Sequence, residues 1–195
     1  MRHFVSALFA LAISLPAFAA DLTDKSVQQW VQSYAKVIEW SKTQDQKELD
    51  FLEEQQSNRN PEFGNLFSNA LKDMKEHKLY GGLRNVLKQS GYSDPAEWAE
   101  QGDRIMAATL AVEMDNQKTN SAQTRAQMKQ AMDALMANPN MTAEQKAQMQ
   151  QMMGMGSQMM DVADNVPAAD KAVVKRNLEM IKTVMEEQAE EQADE

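Results

Sequence analysis

Apolar positions along this chain recur at spacings of three and four. From Thr23 to about Gln56 the stripe runs Val27, Trp30, Val31, Tyr34, Val37, Ile38, Leu49 and Leu52. That is the period of a helix with one buried face, with a break placed near Gln44-Asp45. Asn58-Arg59-Asn60-Pro61 stops it. Phe63, Leu66, Phe67, Ala70, Leu71 and Met74 repeat the pattern in a second helix, and Gly81-Gly82 is expected to break the chain again. Leu83, Val86 and Leu87 mark a short helix closed by Gly91 after Ser90.

Asp94-Pro95-Ala96-Glu97 is a helix start: a capping acid, a proline at the first helical position, and a glutamate three residues after the cap. The helix that follows carries Trp98, Ile105, Met106, Leu110 and Met114, with Gly102 on or near that face, where it would admit a neighbouring helix. Asn120-Ser121 is a polar break. Met128, Ala131, Met132, Leu135 and Met136 stripe a further helix, ended by Asn138-Pro139-Asn140. Thr142 opens the next, which runs to about Met153 or on through Gly154 and Gly156 to Val162. Pro167 opens the last, where Val174, Leu178, Ile181 and Met185 step by four, three and four. No window alternates with period two, and hairpin turn pairs are missing. The expected fold is all-α: a helical bundle of about six to eight helices, with a Met-rich helical hairpin in the C-terminal half.

The start of the chain has a different texture. Met1-Arg2-His3 is basic, Phe4 to Leu15 is apolar apart from Ser6 and Ser14, Pro16 breaks the run, and Ala17-Phe18-Ala19 presents small residues at a cleavage site. This is the layout of a secretory signal peptide, too short to span a bilayer, which takes roughly 20 residues. Cleavage between Ala19 and Ala20 would leave a soluble exported chain of 176 residues. The expected address is the periplasm of a Gram-negative bacterium.

Charge narrows the partners. The full chain carries a net charge of −9, and loss of Arg2 with the leader takes the mature chain to about −10. Nucleic acid and anionic lipid are bound mainly through Lys and Arg, so neither fits, whereas cations and cationic proteins do. Cysteine is absent, which excludes thiolate zinc sites, cysteine nucleophiles and a lipid-modified N-terminal cysteine, and the fold does without disulfides.

Side-chain types divide the mature chain in two. All nine of its aromatic residues lie between Trp30 and Trp98, and ten of its fifteen methionines lie between Met128 and Met160. Rings bury large areas with few rotamers, while methionine is flexible and specifies packing poorly. The division expected is a leader at 1–19, an aromatic-rich bundle at 20–118, a Met-rich helical region at 119–185 within the same domain, and an acidic tail at 186–195. Glu186 to Glu195 holds six acids. Negative charge at a helix C-terminus opposes the dipole, so this end is expected to fray.

Six methionines, Met149, Met152, Met153, Met155, Met159 and Met160, crowd twelve residues. They are the candidate binding residues. Three readings stand. They are a packing stripe or adaptable apolar surface for protein partners; or Met152, Met155 and Met159, which share a helix face, hold copper(I), which selects thioethers; or they absorb oxidants as reversible sulfoxides.

Met141-Thr142-Ala143-Glu144-Gln145 resembles the Leu-Thr-x-x-Gln motif of Spy-type periplasmic stress chaperones. Those are small, Met-containing, all-helical proteins without Cys. The resemblance covers five residues, in one copy where those proteins normally carry two, with Met141 in place of Leu. The same residues also make an ordinary capping box, with Thr142 as N-cap and Gln145 at the third helical position. Gly91-Tyr92-Ser93-Asp94-Pro95-Ala96-Glu97-Trp98 through Gly102-Asp103-Arg104 is similar to a block in uncharacterised exported helical proteins of Gram-negative bacteria. That resemblance implies no activity.

Catalytic patterns are sparse. His77 is the single histidine after the leader, read as an exposed helix-end residue. With one His and no Cys, the common zinc sites and the Ser-His-Asp and Cys-His systems cannot be assembled in one chain. Gly81-Gly82 lacks the residues of a phosphate loop. Asp103 and Arg104 are the best polar pair in an apolar helix, read as a buried pair holding two helices together, while Asp50, Glu53 and Glu54 read as a solvated face. The expected function is that of a non-enzymatic periplasmic interaction protein, binding protein clients or a small ligand in envelope homeostasis, with no cofactor and no catalytic residue. The alternative is a copper(I)-binding protein, with copper as the bound metal. The third is an acid/base hydrolase. A homodimer is compatible with helices that bury one stripe.

Overall fold

The computed structural model describes residues 21–57, 63–117 and 142–193, with 126, 127 and 130. The leader, the stop at Asn58–Pro61 and the helix expected over Met128–Met136 lie outside the described residues. Within them the chain forms seven helices and no strand: α1 Asp24–Ser41, α2 Gln46–Ser57, α3 Leu66–Met74, α4 Tyr80–Gln89, α5 Pro95–Asn116, α6 Ala143–Asp164 and α7 Ala168–Ala193. The protein is an all-α bundle. Among the described residues no helix is long and apolar enough to cross a membrane.

The helices begin and end where local chemistry directs. Thr23 caps α1 through a reciprocal pair: its Oγ1 accepts from the Ser26 N–H (3.0 Å) and Ser26 Oγ accepts from the Thr23 N–H (2.9 Å). Asp94 caps α5, accepting from the Ala96 N–H at 2.9 Å, with Pro95 at the first helical position. Gly91 closes α4 at φ +91°, a conformation that costs glycine nothing. The reversal lets the Tyr92 N–H reach the Leu87 carbonyl and the Gly91 N–H reach that of Lys88, and it brings buried Tyr92 back against buried Leu87.

The fold is organised around α5, which packs against α1, α3, α4, α6 and α7, while α7 also packs along α1. The core joins α1, α4, α5 and α7 through residues such as Val27, Trp30, Leu83, Leu87, Ile105, Ala108, Val174 and Ile181. At its centre Trp30, completely buried, stacks on Tyr34 (5.0 Å between centroids) and on Trp98 (5.9 Å), with Phe67 edge-on at 5.1 Å. Each indole N–H is satisfied. That of Trp30 donates to the Trp98 carbonyl (3.1 Å), and that of Trp98 donates to Ser33 Oγ (2.8 Å). Ser33 in turn donates to the Trp30 carbonyl (2.7 Å). A buried polar group without a partner would cost about 1–3 kcal/mol; here every such group on the stack has one.

Gly102 lies where α5 meets this cluster. A Cβ there would stand 2.8 Å from the Phe67 ring and 2.9 Å from Trp30, so the expected helix approach is real. Gly81-Gly82 differs from expectation. The pair does not break the chain but sits in the first turn of α4. A Cβ on Gly82 would fall 2.7 Å from the Trp40 ring, so the glycine is there for close approach of α1.

Two ends also differ. His77 is not an exposed helix end: it lies half-buried beyond α3, its Nδ1 accepting from the Leu79 N–H at 3.3 Å and its Nε2 3.1 Å from a Glu48 carboxylate oxygen. It ties the α3–α4 connection to α2. The last helix runs to Ala193, through acids expected to fray, because Glu, Gln and Ala are all good helix formers.

Candidate functional site

The six clustered methionines all lie on α6. Thr142 starts this helix with a capping box: its Oγ1 accepts from the Gln145 N–H (3.2 Å), and Gln145 Oε1 accepts from the Thr142 N–H (2.9 Å). The helix is continuous through Gly154 and Gly156, so its residues keep the 3.6-residue period. Met152, Met155 and Met159 therefore share one face, and Met149, Met153 and Met160 line the face beside it. Met152 is 61% exposed and Met155 36%, while Met149, Met153, Met159 and Met160 are half-buried. α6 is laid on α5.

A cleft of about 590 Å³ opens between α3, α5, α6 and the start of α7. It contains Asp103 and Arg104, and the structure gives them separate tasks in place of a mutual pair. Consecutive residues on a helix point about 100° apart, so neighbours in sequence face different elements. Asp103, 6% exposed, reaches across to the N-terminus of α3 and accepts from the backbone N–H groups of Phe67 (2.7 Å) and Ser68 (3.2 Å) and from the Ser68 hydroxyl. The N-cap residue Asn65 makes no side-chain capping bond, so a carboxylate from another helix caps α3 instead. Burial pushes the Asp103 carboxyl above the usual range, and the Ser68 and backbone donors pull part of the way back.

Arg104 turns to Asp170 in the first turn of α7. Its Nε lies 3.1 Å from Oδ2, and its terminal nitrogen lies 3.0 and 2.8 Å from the two carboxylate oxygens. Asp170, 1% exposed, also accepts from the Leu22 N–H at 3.2 Å. This two-pronged pair, with Asp170 buried and Arg104 partly exposed, clamps α5, α7 and the segment preceding α1. Sequence reasoning missed Asp170. Its one local signal, an acid three residues after Pro167, reads as dipole compensation at a helix start and does not point to a distant arginine.

The cleft thus uses its buried groups to hold helices together. Among the described residues no three His, Cys, Asp or Glu side chains gather as a metal site. What α6 offers is of another kind: polarizable thioethers, apolar, neutral and movable, on a helix seated on a firm base. Compared with known proteins, the chain matches no family model, no curated protein and no solved structure.

Proposed function

We propose that this chain is a non-enzymatic interaction protein of the bacterial periplasm that binds segments of other proteins through the methionine face of α6. The observation that carries the reading is exposure. Among the described residues three large hydrophobic side chains are exposed, and two of them, Met152 and Met155, stand on this helix. Flexible thioether side chains can repack around partners of different shape. The net charge of −9 favours cationic clients and speeds their encounter. The clients proposed are therefore extended or unfolded segments carrying apolar side chains together with Lys or Arg. The leader sequence supports the periplasmic address, and the capping segment at Thr142 carries the resemblance to envelope stress chaperones.

Replacing Met149, Met152, Met153, Met155, Met159 and Met160 by Gln tests the reading, since Gln matches Met in helix propensity and removes the apolar contact. Affinity for a labelled, unfolded basic protein should fall roughly tenfold, a change of about 1.4 kcal/mol, with circular dichroism unchanged. An unaltered binding curve would sink the proposal.

A further inference from the structure

On a regular helix, positions i, i+3, i+4 and i+7 are the corners of a rhombus, with about 5–6 Å between neighbouring Cβ atoms. On α6 the corners at 152, 155, 156 and 159 hold three methionines and one glycine. The glycine matters. A Cβ on Gly156 would meet nothing within 4 Å, so the fourth corner is open space, and the other three corners of the rhombus are methionine positions. Each methionine has three rotatable side-chain bonds, enough to turn a sulfur over that gap. Met152 and Met155 are exposed and Met159 is half-buried, which gives two donors reachable from solvent and one set lower. No charged side chain occurs between Lys146 and Asp161, so this stretch of α6 sets no cation of its own beside a bound one.

We propose that Met152, Met155 and Met159 bind one copper(I) ion over Gly156. Three neutral, soft sulfur donors select a soft monovalent cation and have little attraction for hard or borderline divalent ions. Thioethers carry no proton to displace, so binding is insensitive to pH in a range where His and thiolate sites lose their metal. Coordination involves no electron transfer; the ion enters and leaves as copper(I). The site goes beyond the client-binding reading, because it requires sulfur as a donor to a metal ion, whereas a client is held by apolar contact alone.

The experiment uses the mature chain under anaerobic, reducing conditions, titrated with copper(I) against a chromophoric copper(I) chelator. Methionine methyl groups are carbon-13 labelled and followed by NMR. The expected result is one ion per chain, with the methyl signals of Met152, Met155 and Met159 shifting together and affinity constant between about pH 5 and pH 7. Met152→Leu, Met155→Leu and Met159→Leu combined should weaken copper(I) binding roughly tenfold or more while leaving helicity in place. Gly156→Leu, which keeps every sulfur and fills the open corner, should also weaken it. A wild-type chain that holds copper(I) no more tightly than the triple leucine variant overturns the site and leaves the client reading standing. Full affinity in the Gly156→Leu variant overturns the placement over the glycine.

Discussion

Gly102 and Gly154 show how one residue type takes opposite roles in this chain. At Gly102 a methyl group would press into the rings of Phe67 and Trp30, at 2.8 and 2.9 Å. At Gly154 it would meet nothing within 4 Å. Gly102→Ala should destabilise the protein, because overpacking costs about 1–3 kcal/mol and outweighs the gain of up to about 1 kcal/mol in helix propensity. Gly154→Ala should stabilise by up to about 1 kcal/mol. Urea denaturation of the two variants checks both signs. Asp103 illustrates a different point. Sequence placed it correctly inside the bundle and misassigned its partner, since adjacency to Arg104 says nothing about what lies across the gap. Its folded-state pKa is raised by burial, so its titration, followed by carboxyl-carbon NMR, should have a midpoint above the usual 3.8. A midpoint at or below 3.8 would contradict the buried cap.

At the scale of elements, the boundaries written in local chemistry were legible. Asp94-Pro95 starts α5, Gly91 ends α4, Thr142 and Gln145 box the start of α6, and the break near Gln44-Asp45 separates α1 from α2. Each such signal acts over a few residues. What was not legible needed a neighbour distant in sequence. Gly82 serves Trp40 on α1, His77 answers Glu48 on α2, and α3 is capped by α5. The candidate face on α6 was legible in spacing, whereas its exposure was not. Periodicity shows which side chains share a face and leaves open what covers it. Thr142→Ala removes one half of the capping box and should cost about 1 kcal/mol, with loss of amide protection concentrated in the first turns of α6, measurable by hydrogen exchange.

At the scale of the molecule, charged side chains join the last helix to the rest. Asp24 at the start of α1 pairs with Arg176 on α7 (3.0 Å), and Asn177 donates to the same carboxylate at 2.7 Å. Those two donors hold the Asp24 carboxyl below the usual range. Its contribution is therefore present above the unfolded-state pKa and is lost as pH falls through the lower folded value. Asp103 has the opposite sign: its raised pKa favours the folded state in acid, and that advantage disappears as pH rises through the folded value. The acid loss carried by Asp24 should thus appear below about pH 4, and Asp24→Asn should flatten it in denaturation curves taken at a series of pH values. In the Arg104–Asp170 clamp the carboxylate belongs to the interior and the guanidinium reaches the surface. Arg104→Met leaves a carboxylate buried without its counter-charge and should cost about 3–5 kcal/mol, while Arg104→Met with Asp170→Leu should recover most of the loss.

The placement of the rings has a practical consequence for spectroscopy. Every tryptophan lies at or before residue 98, two of them in the stack beneath α5, and α6 contains no aromatic residue. Intrinsic emission will therefore report the integrity of the interior and stay silent while the methionine face is occupied. A ligand that alters tryptophan fluorescence has reached the bundle, through the buried Trp30 and Trp98 or the half-buried Trp40. One that broadens methionine methyl resonances at constant emission has settled on the outside. The molecule thus carries two separate optical and magnetic channels, and any binding assay can use the first as the internal control for the second.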